Sequence, residues 1–142
     1  MESQEFNLAS QLETDSHILG NLPLCRLLLM DDQQFPWFVL VPQRANITEI
    51  YQLDQADQQQ FWLESTALSQ AIMTYYCGDK LNVAALGNIV SQLHLHHIVR
   101  YKTDLCWPAP IWGKLPMIRY ESQKVTEIGL KMAELLPLLQ AR

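Results

Sequence analysis

The sequence predicts a single α+β domain, in which antiparallel strands form one sheet and helices pack against it. Short apolar runs separated by tight polar connections indicate the strands, and one long segment with apolar residues at helical spacing indicates a helix. These elements come in segregated order rather than in strict alternation, which is typical of α+β folds. The 142 residues, 49% of them hydrophobic, are enough for one domain spanning 1–142 with its own core.

The predicted strands are short and end at turn residues. They cover residues 17–19, 24–30, 37–41, 80–86 and 91–100. The polar connection at 31–34 is short, so the second and third strands should form an antiparallel hairpin. Pro42 should end the third strand because proline has no backbone N–H to donate.

Two helices are predicted from apolar periodicity and end signals. Asp54 is a good N-cap for a helix over 55–77 that stops at Gly78. Its buried stripe should consist of Phe61, Leu68, Ile72 and Tyr75. A second amphipathic helix is expected over about 120–140, and residues 1–15 should be a short amphipathic lead-in docked on the body.

Composition excludes several classes of function. The net charge is −5 and the 10 basic residues are scattered, so no basic face for extended nucleic acid is expected. No apolar run approaches the ~20 residues that span a bilayer, and the acidic start Met-Glu-Ser-Gln-Glu-Phe lacks the features of a signal peptide. Cys25, Cys77 and Cys106 are odd in number and widely spaced, which predicts neither a disulfide framework nor a cysteine metal motif. A cytoplasmic location is expected.

Polar and apolar residues alternate in the segment that ends at Arg100. On a strand, one face would carry Gln92, His94, His96, Ile98 and Arg100, and the other Leu93, Leu95, His97 and Val99. Imidazoles two residues apart on one face are separated by about 7 Å along the strand, so they can contact the same small ligand. This segment is therefore predicted to form part of a site that binds a small ligand and can act on it chemically.

The segment resembles the signature of the histidine triad (HIT) superfamily, in which three histidines alternate with apolar residues. With Arg100 and the pair Gly87-Asn88 as anchors, Gln92 falls at the first histidine, His94 at the second and His96 at the third. The resemblance covers about residues 16–113. It implies a five-stranded antiparallel sheet with a long helix, a homodimer, and a hydrolase or transferase that cleaves a nucleotide conjugate at its α-phosphate.

The resemblance also implies roles for the three triad positions. His94 would attack the α-phosphorus and form a nucleotidyl-histidine intermediate, a task that suits a neutral imidazole. His96 would contact phosphate or leaving-group oxygens. Gln92 would brace the nucleophile, because its amide can supply the donor and acceptor that a histidine supplies. No metal and no other cofactor is expected.

Three further residues are candidate nucleotide contacts by the same resemblance. Asn88 matches the position beside the glycine, Asn82 matches an asparagine that helps hold phosphate, and Asp31 lies where the family often grips the ribose hydroxyls. Each has a simpler alternative as a turn or edge-strand residue, and that alternative stays open here.

The chain departs from the family pattern at two outer histidine positions, which hold Gln92 and Trp37. His97 replaces an apolar residue, and we expect it to pack in the core rather than bind ligand. Trp107 and Trp112 lie in a proline-rich loop and could line the pocket, line a dimer contact or cover the core.

Two other classes of function compete with a hydrolase. A non-catalytic nucleotide-binding or scaffold protein would retain the fold with an altered site, as the two lost histidines suggest. A two-histidine metal site of the cupin kind is disfavoured, because no carboxylate follows His96 before Asp104. Among hydrolase substrates, dinucleoside polyphosphates and nucleoside phosphoramidates both remain open.

Overall fold

The computed structural model describes residues 5–142, so the first four residues of the lead-in predicted at 1–15 lie outside it. Its helices are α1 (Ser10–Asp15), α2 (Gln55–Tyr76) and α3 (Ser122–Leu135), with a 3₁₀ turn at Ile50–Gln52. Its strands are β1 (Ser16–Asn21), β2 (Cys25–Met30), β3 (Trp37–Pro42), β4 (Lys80–Ala84), β5 (Leu95–Arg100) and β6 (Gln140–Ala141). Within these residues, no helix is both long and apolar enough to cross a membrane.

The strands form one antiparallel sheet in the order β4-β5-β3-β2-β1-β6. The α+β class and the hairpin of β2 and β3 are therefore confirmed. The family resemblance implied five strands, and the sheet contains those five and a two-residue sixth, β6, which pairs with Gly20 and Asn21.

The ends of α2 follow from local chemistry. Asp54 accepts a hydrogen bond from the Asp57 N–H at 2.8 Å, which satisfies one of the free donors of the first turn. At the other end, Cys77 takes a left-handed conformation with φ 51°, and the Gly78 N–H returns to the Met73 carbonyl. The predicted helix is thus confirmed to within one residue.

The strand predicted over 80–86 ends at Ala84, and two other predicted boundaries are wrong by more. The strand predicted over 91–100 begins only at Leu95, because the Leu93 N–H donates to the Ile47 carbonyl outside the sheet. Residues 85–94 therefore cross between β4 and β5 without regular structure, and His94 lies at the end of this crossing. The C-terminal helix predicted to residue 140 ends at Leu135, where Pro137 cannot continue it.

The two faces of the sheet have different covers. Leu27, Phe38 and Leu95 belong to the face that packs against α2 and α3. The opposite face carries side chains such as Val39 and Ile98, and it is covered by the N-terminal segment and by the loop that contains Ile111. Because the side chains of a strand alternate, the choice of face decides which histidines reach a pocket.

Candidate active site

A pocket of 580 Å³ opens on the face of the sheet opposite α2 and α3. Its lining includes His94, His96, Trp37, Trp112, Asn88 and Asp15. The rest of the lining is largely apolar and includes Leu12, Met30 and Val90. The pocket thus combines two imidazoles with an apolar wall, the usual character of a small-molecule site.

His94 is held by its own segment of backbone. Its Nδ1 lies 2.7 Å from the Gln92 carbonyl oxygen, which can only accept a hydrogen bond. Nδ1 therefore carries the proton, and in the neutral ring the lone pair lies on Nε2. This tautomer is the one that a histidine nucleophile attacking through Nε2 requires.

His96 is held in the opposite tautomer by a side chain of the neighbouring strand. Trp37 donates its indole N–H to His96 Nδ1 at 2.9 Å, and an indole nitrogen can only donate. Nδ1 of His96 is therefore the acceptor, and in the neutral ring Nε2 carries the proton. The register places Trp37 opposite Ile98, one diagonal step from His96 on the same face, which is within reach of a large ring.

The surroundings of His96 favour its neutral ring. Burial, with the adjacent His94, lowers the pKa of His96 to about 3. The rings of His94 and His96 meet edge to face, with centroids 4.8 Å apart. Trp112 also packs on His96, with ring centroids 5.3 Å apart, and lines the same pocket.

Gln92 stabilises this site differently from our expectation. Its side-chain oxygen accepts from the Ala9 N–H and its amide donates to the Asn7 carbonyl, both at 2.8 Å. The expectation that the Gln92 amide braces the nucleophile is therefore corrected: the backbone carbonyl of Gln92 holds His94. The side chain instead holds the N-terminal segment, from which Gln11, Leu12 and Asp15 enter the pocket wall.

His97 lies on the helix-covered face, as predicted. It is fully buried, and its Nε2 is 2.8 Å from the Ser65 hydroxyl of α2. Burial lowers the pKa of His97 to about 4, despite a stabilising contact of its Nδ1 with the Leu95 carbonyl. His97 is thus a packed core histidine.

Of the three predicted nucleotide contacts, the structure brings only Asn88 into the pocket. The expectation for Asp31 needs correction, because its side chain is buried outside the pocket. Asp31 accepts from Arg119 Nη1 at 2.7 Å and from the Tyr120 N–H at 2.9 Å, and its Oδ1 lies 3.0 Å from His17 Nε2. The burial of Asp31 alone would raise its pKa, but these contacts outweigh it and lower the pKa.

Asn82 also lies outside the pocket, so its expected contact with phosphate is likewise corrected. Its side-chain oxygen accepts from Arg100 Nη1 at 2.8 Å. Arg100 is almost completely buried and also pairs with Asp104. The Arg100 guanidinium lies over the Trp107 ring, 5.6 Å from its centroid. Asn82 and Trp107 are thus parts of a buried network around Arg100.

Asp15 is a pocket residue that the sequence did not reveal. It lies at the end of α1 and accepts from the Gln11 amide at 2.7 Å. A single acidic residue in a polar lead-in carries no pattern, so only the packing of the N-terminal segment could identify it. Asp15 is the carboxylate among the residues that line the pocket.

The described residues contain no group of three or more His, Cys, Asp or Glu side chains that could hold a metal ion. The histidine pair by itself offers two imidazoles, and Trp37 already occupies Nδ1 of one of them. The two Nε2 atoms are the ones left to face a ligand: that of His94 offers a lone pair, and that of His96 offers an N–H.

Comparison with known proteins places this geometry in context. A family model described as the HIT domain matches residues 11–103. A crystal structure of a histidine triad protein from Marinobacter aquaeolei VT8 is 47% identical, with a TM-score of 0.93, and the match covers 96% of this chain and 100% of that one. No curated protein matches the chain.

Two further crystal structures are similar over nearly the whole chain. A histidine triad protein from Sinorhizobium meliloti 1021 is 37% identical, with a TM-score of 0.90 and coverage of 92% of this chain and 97% of that one. A histidine triad protein from Bradyrhizobium japonicum is 36% identical, with the same TM-score and coverage of 96% and 100%.

Proposed function

Because the chain belongs to the HIT domain family, we propose that it is a hydrolase or transferase that cleaves nucleotide conjugates at the α-phosphate. The observation that carries this proposal is the pair of opposite tautomers at His94 and His96. One ring offers a lone pair and the other an N–H within the same pocket. A nucleophile and a donor for phosphate oxygens are the two groups that this reaction needs first.

His94 is the proposed nucleophile. Attack of Nε2 on phosphorus leaves a positive charge on the ring, and the proton at Nδ1 stays hydrogen-bonded to the Gln92 carbonyl throughout. That carbonyl dipole stabilises the developing imidazolium, because its negative end lies against the N–H. Water then cleaves the P–N bond and releases the nucleotide.

His96 is the proposed donor to the phosphate or to the leaving oxygen. Its Nε2–H is oriented before substrate arrives, because Trp37 fixes the ring from the other side. A preoriented donor on a buried ring stabilises charge that develops in the transition state without reorganisation. Asn88, at the pocket rim, is the proposed second polar contact for phosphate.

The apolar wall and Asp15 suggest where the nucleoside lies. Trp112, Leu12 and Met30 present flat and apolar surface for a base. Asp15 replaces Asp31 in our proposal as the carboxylate for the ribose hydroxyls, because it lines the pocket and Asp31 does not. A carboxylate accepts from two hydroxyls at once.

We further propose that the protein is a cytoplasmic homodimer. Trp62 and Leu63 are neighbours on the outer face of α2 and are 67% and 62% exposed. Adjacent exposed apolar side chains are typical of a protein contact surface, whereas scattered single ones are not. Substituting both by Lys should shift the molar mass in light scattering from two chains to one. An unchanged mass would argue against this face as the contact.

A non-catalytic nucleotide-binding protein is the alternative function. The loss of two outer histidines favours it, and the intact orientation of both inner histidines opposes it. Both functions predict that nucleotide binds, but only the hydrolase or transferase turns it over, so an assay of turnover separates them.

The test is hydrolysis of a small panel by wild type and His94→Ala, with chelator present. The panel contains an adenosine phosphoramidate, a diadenosine polyphosphate and an adenylylated amino acid. We expect AMP release by the wild type and a loss of at least ~10³-fold in His94→Ala, with nucleotide binding retained. Binding without turnover in the wild type would favour the alternative.

A further inference from the structure

We infer that Trp37 determines the specificity of the site for the leaving group: its indole N–H fixes His96 as a neutral Nε2–H donor, so the site favours leaving groups that depart as oxyanions over amines. This inference rests on the proposed function and narrows its substrate class. It concerns a residue that stands where the family pattern has a histidine.

The hydrogen bond from Trp37 restricts the forms that the His96 ring can take. A protonated imidazole carries N–H at both nitrogens, and Nδ1–H would then face the indole N–H across 2.9 Å. Two donors at that distance repel each other. The protonated form of His96 is thus disfavoured by geometry, and so is the tautomer with hydrogen on Nδ1.

The other groups around His96 also disfavour its protonated form. The titratable groups nearest to it are His94, with its ring centroid at 4.8 Å, and His97, which follows in β5 on the other face. Asp15 enters the same pocket from α1. Burial is the largest cause, His94 and His97 act in the same direction, and together they lower the pKa of His96 to about 3.

A neutral imidazole donates a hydrogen bond but does not act as a general acid near pH 7. In the first step, the His94 Nε2 lone pair forms the N–P bond, and the bond from phosphorus to the leaving oxygen breaks. The leaving oxygen keeps the electron pair and departs as an oxyanion that accepts a hydrogen bond from His96 Nε2–H. Phosphates and carboxylates are stable as such anions, so this step needs no proton transfer.

An amine leaving group makes a different demand. Cleavage of a phosphoramidate P–N bond requires a proton on the departing nitrogen, because an amide anion is too basic to leave. Among the described residues that line the pocket, the titratable ones are Asp15, His94 and His96. His94 is the attacking group and Asp15 is the proposed contact for the ribose hydroxyls, so neither is placed as a general acid once Trp37 fixes His96.

The first part of the test reads the tautomer directly by long-range ¹H–¹⁵N NMR of His96, without substrate. We expect hydrogen on Nε2 alone in the wild type down to pH 5. Trp37→Phe keeps a ring but removes the donor, and should give a mixture of tautomers. Trp112→Phe is the matched control, because Trp112 also packs on His96 but its Nε1 has no hydrogen-bond partner among the described residues. Hydrogen on Nδ1 in the wild type would overturn the inference.

The second part compares leaving groups on the same adenylyl group. The wild type should cleave a diadenosine polyphosphate and an acyl adenylate with kcat/KM at least ~100-fold above that for an alkyl phosphoramidate, the low end of what general acid catalysis supplies. Trp37→Phe should narrow this ratio at least ~10-fold. Trp37→His restores the residue of the family pattern and should narrow it too, which keeps the test open if Trp37→Phe does not fold.

The outcomes separate this inference from the proposed function. Turnover that depends on His94 but favours the phosphoramidate would leave the proposed function intact and overturn the inference. An unchanged ratio in both folded Trp37 variants would do the same. No turnover of any substrate would count against the proposed function itself.

Discussion

Asp104 should be the residue on which the loop beside the active site most depends. Its carboxylate accepts from Arg100 Nε at 2.8 Å and Nη2 at 3.0 Å, and from the backbone N–H groups of residues 101, 106 and 107. Arg100 is only 1% exposed, so its charge has little access to water. Asp104→Asn removes the negative charge but keeps the size of the side chain and one acceptor.

The cost of this substitution can be estimated in two ways. Breaking a buried ion pair by removing one partner costs about 3–5 kcal/mol, and the retained acceptor places Asp104→Asn near the lower end. Independently, burial alone would raise the pKa of Asp104, but the hydrogen bonds from Arg100 and the backbone outweigh it and hold the pKa at about 2, against 3.8 ordinarily. That difference corresponds to about 2 kcal/mol of stability at neutral pH.

The sign of the pH dependence follows from the lowered pKa. The stabilisation is fully present above pH 3.8, where the unfolded chain is also ionised, and it is lost as the pH falls toward 2. Urea unfolding at pH 7 should show a loss of about 3 kcal/mol in Asp104→Asn. The gap between wild type and variant should shrink by about 2 kcal/mol between pH 5 and pH 2.

Glu127→Gln makes the same chemical change in an exposed ion pair. Its carboxylate lies 3.4 Å from Lys124 Nζ, and both side chains are more than half exposed. It should change the free energy of unfolding by less than about 0.5 kcal/mol. A cost below about 1 kcal/mol for Asp104→Asn, or a gap that does not change with pH, would show that the buried Arg100 does not depend on the Asp104 charge.

Two further substitutions test the division of labour along the histidine segment. His97→Leu should lower the free energy of unfolding by about 1–2 kcal/mol, because Ser65 loses its buried partner, and should leave kcat within about threefold of wild type; a loss of activity with the fold intact would show that His97 is functional. Gln92→Ala should raise KM, because the N-terminal segment that lines the pocket loses its hydrogen bonds to the amide. The kcat should change little, since the backbone carbonyl of residue 92 still holds His94. A loss of kcat beyond ~100-fold would show that the Gln92 amide braces the nucleophile after all.

Alternation and end signals were enough to predict most of the fold. The N-cap at Asp54 and the assignment of His97 to the helix-covered face both follow from rules that act over a few residues. The resemblance to the family motif further predicted the antiparallel sheet and singled out His94 and His96 as the two inner histidines. The short strand β6 was missed because two residues carry no periodicity.

The rest of the site depends on contacts between distant residues. Asp31 receives hydrogen bonds from residues 119 and 120, and Gln92 bonds to residues 7 and 9, so their neighbours in sequence say nothing about their partners. The sequence shows a tryptophan where the family pattern has a histidine, but it does not show what the Trp37 side chain contacts. Only the register of β3 against β5 shows that the indole reaches His96.

His94 should become covalently nucleotidylated during turnover, and mass spectrometry of the protein quenched in alkaline denaturant can detect the adduct. Wild type mixed with a diadenosine polyphosphate should gain the mass of one adenylyl group, located by fragmentation on His94, and His94→Ala should gain none. Turnover by the wild type with no adduct at any quench time, or with an adduct on another residue, would contradict the proposed mechanism.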